Sequence, residues 1–125
     1  MLRSSYLKGW GNDMIRVVNR RNGKHPGAIY VGRPSPLGNP YEMDSKIDRE
    51  LAVELHREWL MDVLWGSLRD DHDFAGVRLA FYHIVNIVLV DCNVILECWC
   101  APKPCHADTI AMLAEAEVKR IRRTQ

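Results

Sequence analysis

Apolar residues change their spacing several times along the chain, and each change predicts an element. Met14 to Asn19 reads Met-Ile-Arg-Val-Val-Asn, and Ala28 to Gly32 reads Ala-Ile-Tyr-Val-Gly. Both runs have the β-branched and aromatic content of short strands, and the Asn22-Gly23 and Pro26-Gly27 turn signals between them raise the expectation of a hairpin. From about Asp48 to Leu64 the period becomes helical. Leu51, Leu55, Trp59 and Val63 share a face widened by Ala52, Leu60 and Met61, and Glu50, Glu54, Arg57 and Glu58 take the opposite side. Asp44 or Ser45 is the expected cap.

Residues 66–73 are polar and read as a turn. Residues 77–90 are apolar on nearly all sides and long enough for a buried helix, with a strand pair as the competing reading. Asp91-Cys92-Asn93 reads as a turn, and Val94 to Cys100 reads as a strand. A last helix is expected from Ala107 or Asp108 to about Arg122, with Ile110, Leu113, Ala114, Val118 and Ile121 apolar and basic residues at its C-terminal end, where they suit the helix dipole. Helices thus alternate with strands over connections long enough for crossovers. The predicted fold class is α/β: a small Rossmann-like sandwich of helices around a short, largely parallel sheet. Residues 1–125 read as a single domain.

Composition narrows the class further. The 125 residues are 47% apolar, with 17 Lys and Arg against 16 Asp and Glu. That balance describes a folded domain, and a chain of this size buries about two-thirds of its unfolded surface without needing disulfides. The longest unbroken apolar runs fall short of the ~20 residues that span a bilayer, so no membrane partner is expected. The first residues, MLRSSYLKGWGNDM, hold no signal-peptide core, which points to a reducing cytosol and to cysteines that are thiols or metal ligands. Charge is unevenly spread. Residues 1–33 carry a net +6 and residues 34–73 a net −6, a dipole that can steer an anion towards the basic third or simply lie on a solvated surface.

Two loops carry the candidate chemistry. The first, Arg33-Pro-Ser-Pro-Leu-Gly-Asn-Pro40, leaves a predicted strand and is stiffened by three prolines. Its Arg33 can grip a phosphate, Ser35 and Asn39 can donate and accept, and Gly38 allows close backbone approach, which makes these four the candidate ligand-binding residues. Turns use the same residues, so a stiff connection is the alternative. Neither a P-loop nor a dinucleotide fingerprint occurs.

The second loop, Cys98-Trp-Cys-Ala-Pro-Lys-Pro-Cys-His106, is a C-x-C-x4-C-H cluster. On a strand Cys98 and Cys100 would share a face while Trp99 points the other way into packing. Cys98, Cys100, Cys105 and His106 form a complete tetrahedral zinc set. Reactive thiols at Cys100 or Cys105 and plain buried cysteines are the competing readings. Cys92 reads as packing, and His25, His56, His72 and His83 as surface or satisfied core histidines. Ligands bind outside the carboxyl ends of strands in α/β sheets, and both loops follow predicted strands. If those strands are parallel neighbours the loops share a rim, with Cys105, His106 and Asp108 as candidate catalytic groups and Glu42 or Asp44 as further carboxylates.

At these loops the chain resembles the family called domain of unknown function 4326, found in bacteria and especially phages. The matching residues are Gly32-Arg33, Ser35-Pro-Leu-Gly-Asn-Pro-Tyr41, Arg49, Ala52-Val53, His56-Arg-Glu-Trp-Leu60 and Leu96-Glu-Cys-Trp-Cys-Ala-Pro-Lys-Pro-Cys-His-Ala-Asp108. The resemblance spans roughly Ile15 to Ala114. Two departures stand out: residues 77–90 form a longer link than is usual there, and His56 replaces a common tyrosine. The resemblance names no reaction; by analogy it implies a nucleotide-type site, with a phage-encoded protein acting in the host cytoplasm.

Three functions follow as expectations. The first is binding, with processing as a further step, of a nucleoside, nucleotide or other phosphorylated small molecule between residues 33–41 and 98–108. The second is a zinc-stabilised module that grips nucleic acid or a protein through the basic first third and Lys119, Arg120, Arg122 and Arg123. The third is an assembly protein using residues 77–90 as its contact surface.

Overall fold

A computed structural model describes residues 14–23 and 25–124. The chain runs β1 (Ile15–Asn19), β2 (Ile29–Tyr30), α1 (Arg49–Trp65), α2 (Ala75–Asp91), β3 (Val94–Cys98) and α3 (His106–Arg123), with short 3-10 turns at Arg20–Asn22 and His72–Phe74. The architecture is α/β: three helices and a small parallel sheet in the order β1-β3-β2.

Parallel pairing overturns the hairpin. The turns at 22–23 and 26–27 exist, with Gly23 and Gly27 at φ of 102° and 77°. They do not fold β2 back on β1, because β3 inserts between the two, pairing Ile15 with Val94 and Asn19 with Cys98 on one side and Ile29 with Leu96 on the other. Every residue of β3 is buried, as a central strand covered on both faces requires.

Helices α1 and α3 each start at a residue whose side chain satisfies a free amide, whereas α2 follows the 3-10 turn at His72–Phe74 without a side-chain cap among the described residues. Asp48, rather than Asp44 or Ser45, caps α1, its carboxylate accepting from the Leu51 amide at 2.8 Å. Asp44 instead closes a tight turn by accepting from Lys46 and Ile47. Residues 77–90 are helical, and α2 ends where Cys92 takes a left-handed φ of 72°. From α2, Val77, Phe81, Ile84, Val85 and Val88 enter a core shared with Leu60 and Val63 of α1, Leu96 of β3, and Ile110, Ala114 and Val118 of α3. By length and composition alone the stretch His72–Asp91 is apolar enough to cross a membrane, and five of its apolar residues enter the core. Its outer face leaves Leu79 and Val90 exposed.

Helix α3 begins at His106, capped by Cys105. The Cys105 Sγ accepts from the Ala107 amide at 3.2 Å, and Asp108 accepts from the Cys105 amide at 3.1 Å, a reciprocal capping box.

Candidate functional site

Because β2 and β3 are parallel neighbours, their carboxyl ends lie side by side and the segments that leave them share a rim. Between those segments is a hollow of about 250 Å³. One wall is Tyr30, Gly32, Arg33 and Asn39; the facing wall is Trp99, Cys100, Cys105 and His106; α1 closes a third side with Arg49, Ala52 and Val53.

The first wall is fixed by backbone turns and one side chain. Ser35 N donates to the Gly32 carbonyl at 2.8 Å and Gly38 N to the Ser35 carbonyl at 2.9 Å. Gly38 is needed for close approach, since a Cβ there would meet the Arg33 backbone at 3.0 Å. Asn39 is consumed by the fold. Its Nδ2 donates to the Ala52 carbonyl at 2.9 Å and its Oδ1 accepts from the Tyr41 amide at 2.8 Å, which ties the loop to the first turn of α1. The Ser35 hydroxyl is buried, has no hydrogen-bond partner among the described residues and does not line the hollow.

The second wall is held from both strands. Asn19 Nδ2, at the end of β1, donates to the Trp99 and Ala101 carbonyls at 3.1 and 2.7 Å. Peptides Arg33–Pro34 and Ala101–Pro102 are cis, one in each loop. Trp99 lies beyond the last residue of β3, so strand alternation does not govern it. Instead of entering the packing, its indole is half-exposed, and Nε1 donates to the Tyr30 hydroxyl. That hydroxyl donates to the Arg33 carbonyl at 2.7 Å.

Two histidines meet at the base. His106 lines the hollow and lies edge-on to the fully buried His56, ring centroids 5.1 Å apart. Nε2 of His106 is 2.7 Å from the Val31 carbonyl and Nε2 of His56 is 3.1 Å from the Leu37 carbonyl. A carbonyl only accepts, so both Nε2 atoms carry the proton and both Nδ1 atoms hold the lone pair. His56 Nδ1 is buried without a partner among the described residues. Burial, reinforced by His106, pushes the His56 pKa down to about 4; burial also lowers His106, with Arg33 acting in the same direction. Both rings are neutral at pH 7.

The thiols differ in exposure. Cys98 and Cys105 are buried, Cys105 in the wall of the hollow, and Cys100 is half-buried beside it. The neighbouring Cys105 holds the Cys98 pKa below the ordinary thiol value, and Cys98 together with burial pushes that of Cys105 up. Cys105 and His106 do not form a nucleophile–base pair: the His106 Nε2 proton goes to Val31, and Cys105 Sγ takes the Ala107 amide. Among the described residues no three His, Cys, Asp or Glu side chains are disposed to hold a metal ion.

The structure therefore brings Arg33, Asn39, Cys100, Cys105 and His106 around one hollow, and leaves Ser35, Gly38, Cys98 and Asp108 off its surface. Asp108 caps α3 and lines a separate groove between β1 and α3. Glu42 is exposed and pairs with Arg33 at 3.0 Å. Of the basic residues, Arg3, Lys8 and Lys24 lie outside the described residues. Arg120 is held by Glu117, and Arg122 by Val88 and Met14. Tyr30, Tyr41, Arg49 and Trp99 also line the hollow, although the sequence named none of them as a ligand-binding residue and assigned Trp99 to packing. Tyr30 and Trp99 stand where strands β2 and β3 give way to loop, the position that marks rim residues in a parallel sheet.

One family model, described as domain of unknown function (DUF4326), matches residues 16–116, from β1 into α3 and across both loops. No curated protein and no solved structure matches the chain.

Proposed function

We propose that this chain, which belongs to the family of domain of unknown function 4326, binds a phosphorylated, ring-bearing small molecule of the nucleotide class in the cleft between residues 33–41 and 98–108. One observation carries the reading: two arginines, Arg49 and the Glu42-paired Arg33, and three aromatic residues, Tyr30, Tyr41 and Trp99, line one hollow at the carboxyl ends of adjacent parallel strands. Guanidinium groups suit phosphate oxygens, and exposed rings suit a planar base. The position is where α/β sheets hold ligands. Chemistry on the bound molecule would fall to the groups at its floor, the His106 imidazole and the Cys100 thiol.

Isothermal calorimetry against a panel of nucleoside mono- and diphosphates tests the reading. Binding by the wild type, weakened about tenfold or more in Arg49→Ala and in Trp99→Ala, supports it. Absence of heat with every member at millimolar concentration, from protein whose melting is cooperative, removes it.

A further inference from the structure

The cleft continues past Arg49. A second hollow of about 410 Å³ opens beyond that residue, lined by Arg49, Glu50, Val53, Glu54 and Pro104, and it shares Arg49, Val53 and Pro104 with the first. Together the two lobes fall in the roughly 300–1,000 Å³ of ordinary small-molecule sites. Their chemistry differs. The inner lobe has aromatic rings and, among the described residues, no carboxylate in its lining. The outer lobe has two carboxylates one turn apart on α1, Glu50 and Glu54, above an apolar floor of Val53 and Pro104.

Arg49 stands on the boundary. Among the described residues its guanidinium makes one hydrogen bond, from NH1 to the Pro104 carbonyl at 3.4 Å, which leaves most of its five donors for a ligand. Glu54 accepts from Arg57 through Oε1 at 2.7 Å, which leaves Oε2 to accept from elsewhere. A ligand filling both lobes would set a planar ring among the aromatics, place an anionic bridge at Arg49, and offer hydroxyl donors to the two carboxylates. The apolar floor fits the C–H face of a sugar ring. A second anionic moiety would meet the glutamates unfavourably.

Resting on the nucleotide reading, the geometry points to a nucleoside diphosphate sugar as the class of ligand, with its diphosphate at Arg49 and its sugar against Val53, Pro104, Glu50 and Glu54.

Calorimetry on the full chain with ADP-ribose and UDP-glucose, each beside its parent diphosphate ADP or UDP, tests this. The expected result is about tenfold tighter binding of at least one sugar-bearing ligand than of its parent, a preference that falls to near unity in the Glu50→Gln/Glu54→Gln double variant. Equal affinity for sugar-bearing and parent ligands, with nucleotide binding intact, overturns the two-lobed site alone. No binding by any of the four overturns the nucleotide reading together with it. Circular dichroism melting of the double variant, whose changes lie on an exposed helix face, separates lost recognition from lost folding.

Discussion

The Trp99 indole N–H donates to the Tyr30 hydroxyl at 3.1 Å, and the same hydroxyl donates to the Arg33 carbonyl at 2.7 Å. One phenol thus bolts together two loops that are far apart in sequence and face each other across the cleft. Tyr30 is also covered by the Arg20 guanidinium, 4.6 Å from the ring centroid. Tyr30→Phe keeps the ring and removes the bolt. The expected loss is about 1 kcal/mol, seen as a fall of roughly 4 °C in Tm. Nucleotide affinity should fall several-fold because the walls are no longer held in register. A Tyr30→Phe protein with unchanged Tm and unchanged calorimetric affinity would contradict the arrangement.

The buried histidine pair makes a pH prediction. His56 titrates near 6.5 when unfolded and at about 4 when folded, because its burial and the neighbouring His106 disfavour the imidazolium. Between those values the unfolded chain binds a proton that the folded chain refuses. Stability is therefore complete above about pH 6.5 and drains away as pH falls towards 4, by about 3 kcal/mol from His56. His106, lowered for the same reason, adds loss in the same direction. Glu117 is lowered chiefly by its bond to Arg120, so its own contribution is lost only below the ordinary carboxylate range. Urea midpoints measured from pH 7.5 to 4 should show the slope, and His56→Gln, which keeps a donor for the Leu37 carbonyl, should flatten it.

Much of this was legible in the chain, and the rest failed for identifiable reasons. Helix α3 announced itself through Ile110, Leu113, Ala114 and Val118, all buried, and α1 through its helical period, but the α1 face was misplaced. Of Leu51, Leu55, Trp59 and Val63 only Val63 is buried, Leu51 and Met61 are exposed, and the buried stripe runs through Ala52, His56, Leu60, Val63 and Leu64. The common rim of the two loops was readable because Gly32 and Cys98 follow strand patterns and parallel strands place their exits together. The insertion of β3 between β1 and β2 was not readable. Pairing Val17 with Leu96 is a contact between distant residues with no local signature, whereas Asn22-Gly23 advertises a turn whatever the strands do next. The fate of Asn39 was equally hidden. Its type suits a ligand or a turn, and only the position of the Ala52 carbonyl decides.

Cys92 ends α2 at φ 72°, a conformation that strains a side-chain-bearing residue and favours glycine. Its amide already closes the helix on the Val88 carbonyl at 2.8 Å, a bond that glycine retains. Cys92→Gly should therefore stabilise the protein by about 0.5–1 kcal/mol, offset in part by the greater freedom of glycine in the unfolded chain. Chemical denaturation at pH 7.5 checks the sign. A loss above 1 kcal/mol would mean that the half-buried thiol contributes packing that outweighs the strain.

Asn39→Ala removes both bonds that hold the 33–41 loop to α1. The Tyr41 amide and the Ala52 carbonyl lose their side-chain partner, at a cost of about 2 kcal/mol in denaturant unfolding. Asn39→Asp should be at least as harmful, because it turns a carboxylate oxygen towards the Ala52 carbonyl. An Asn39→Ala protein as stable as wild type would show that the loop is held by Leu37 and the prolines alone.

The four cysteines should separate into two kinetic classes under maleimide labelling. Cys92 and Cys100 are partly accessible, while Cys98 is fully buried and Cys105, in the cleft wall, is nearly so. A lowered pKa makes Cys98 more nucleophilic only if reagent reaches it, and the loop from Trp99 to Pro104 stands in the way. Labelling of native protein at pH 7.5 should therefore reach two thiols quickly, and the other two only as fast as the structure opens. Peptide mapping identifies which. A ligand filling the cleft should slow Cys100 and leave Cys92 unaffected, so the same measurement reports occupancy. Rapid modification of Cys98 in the native protein would mean that this loop opens far more readily than its bonds to Asn19 imply.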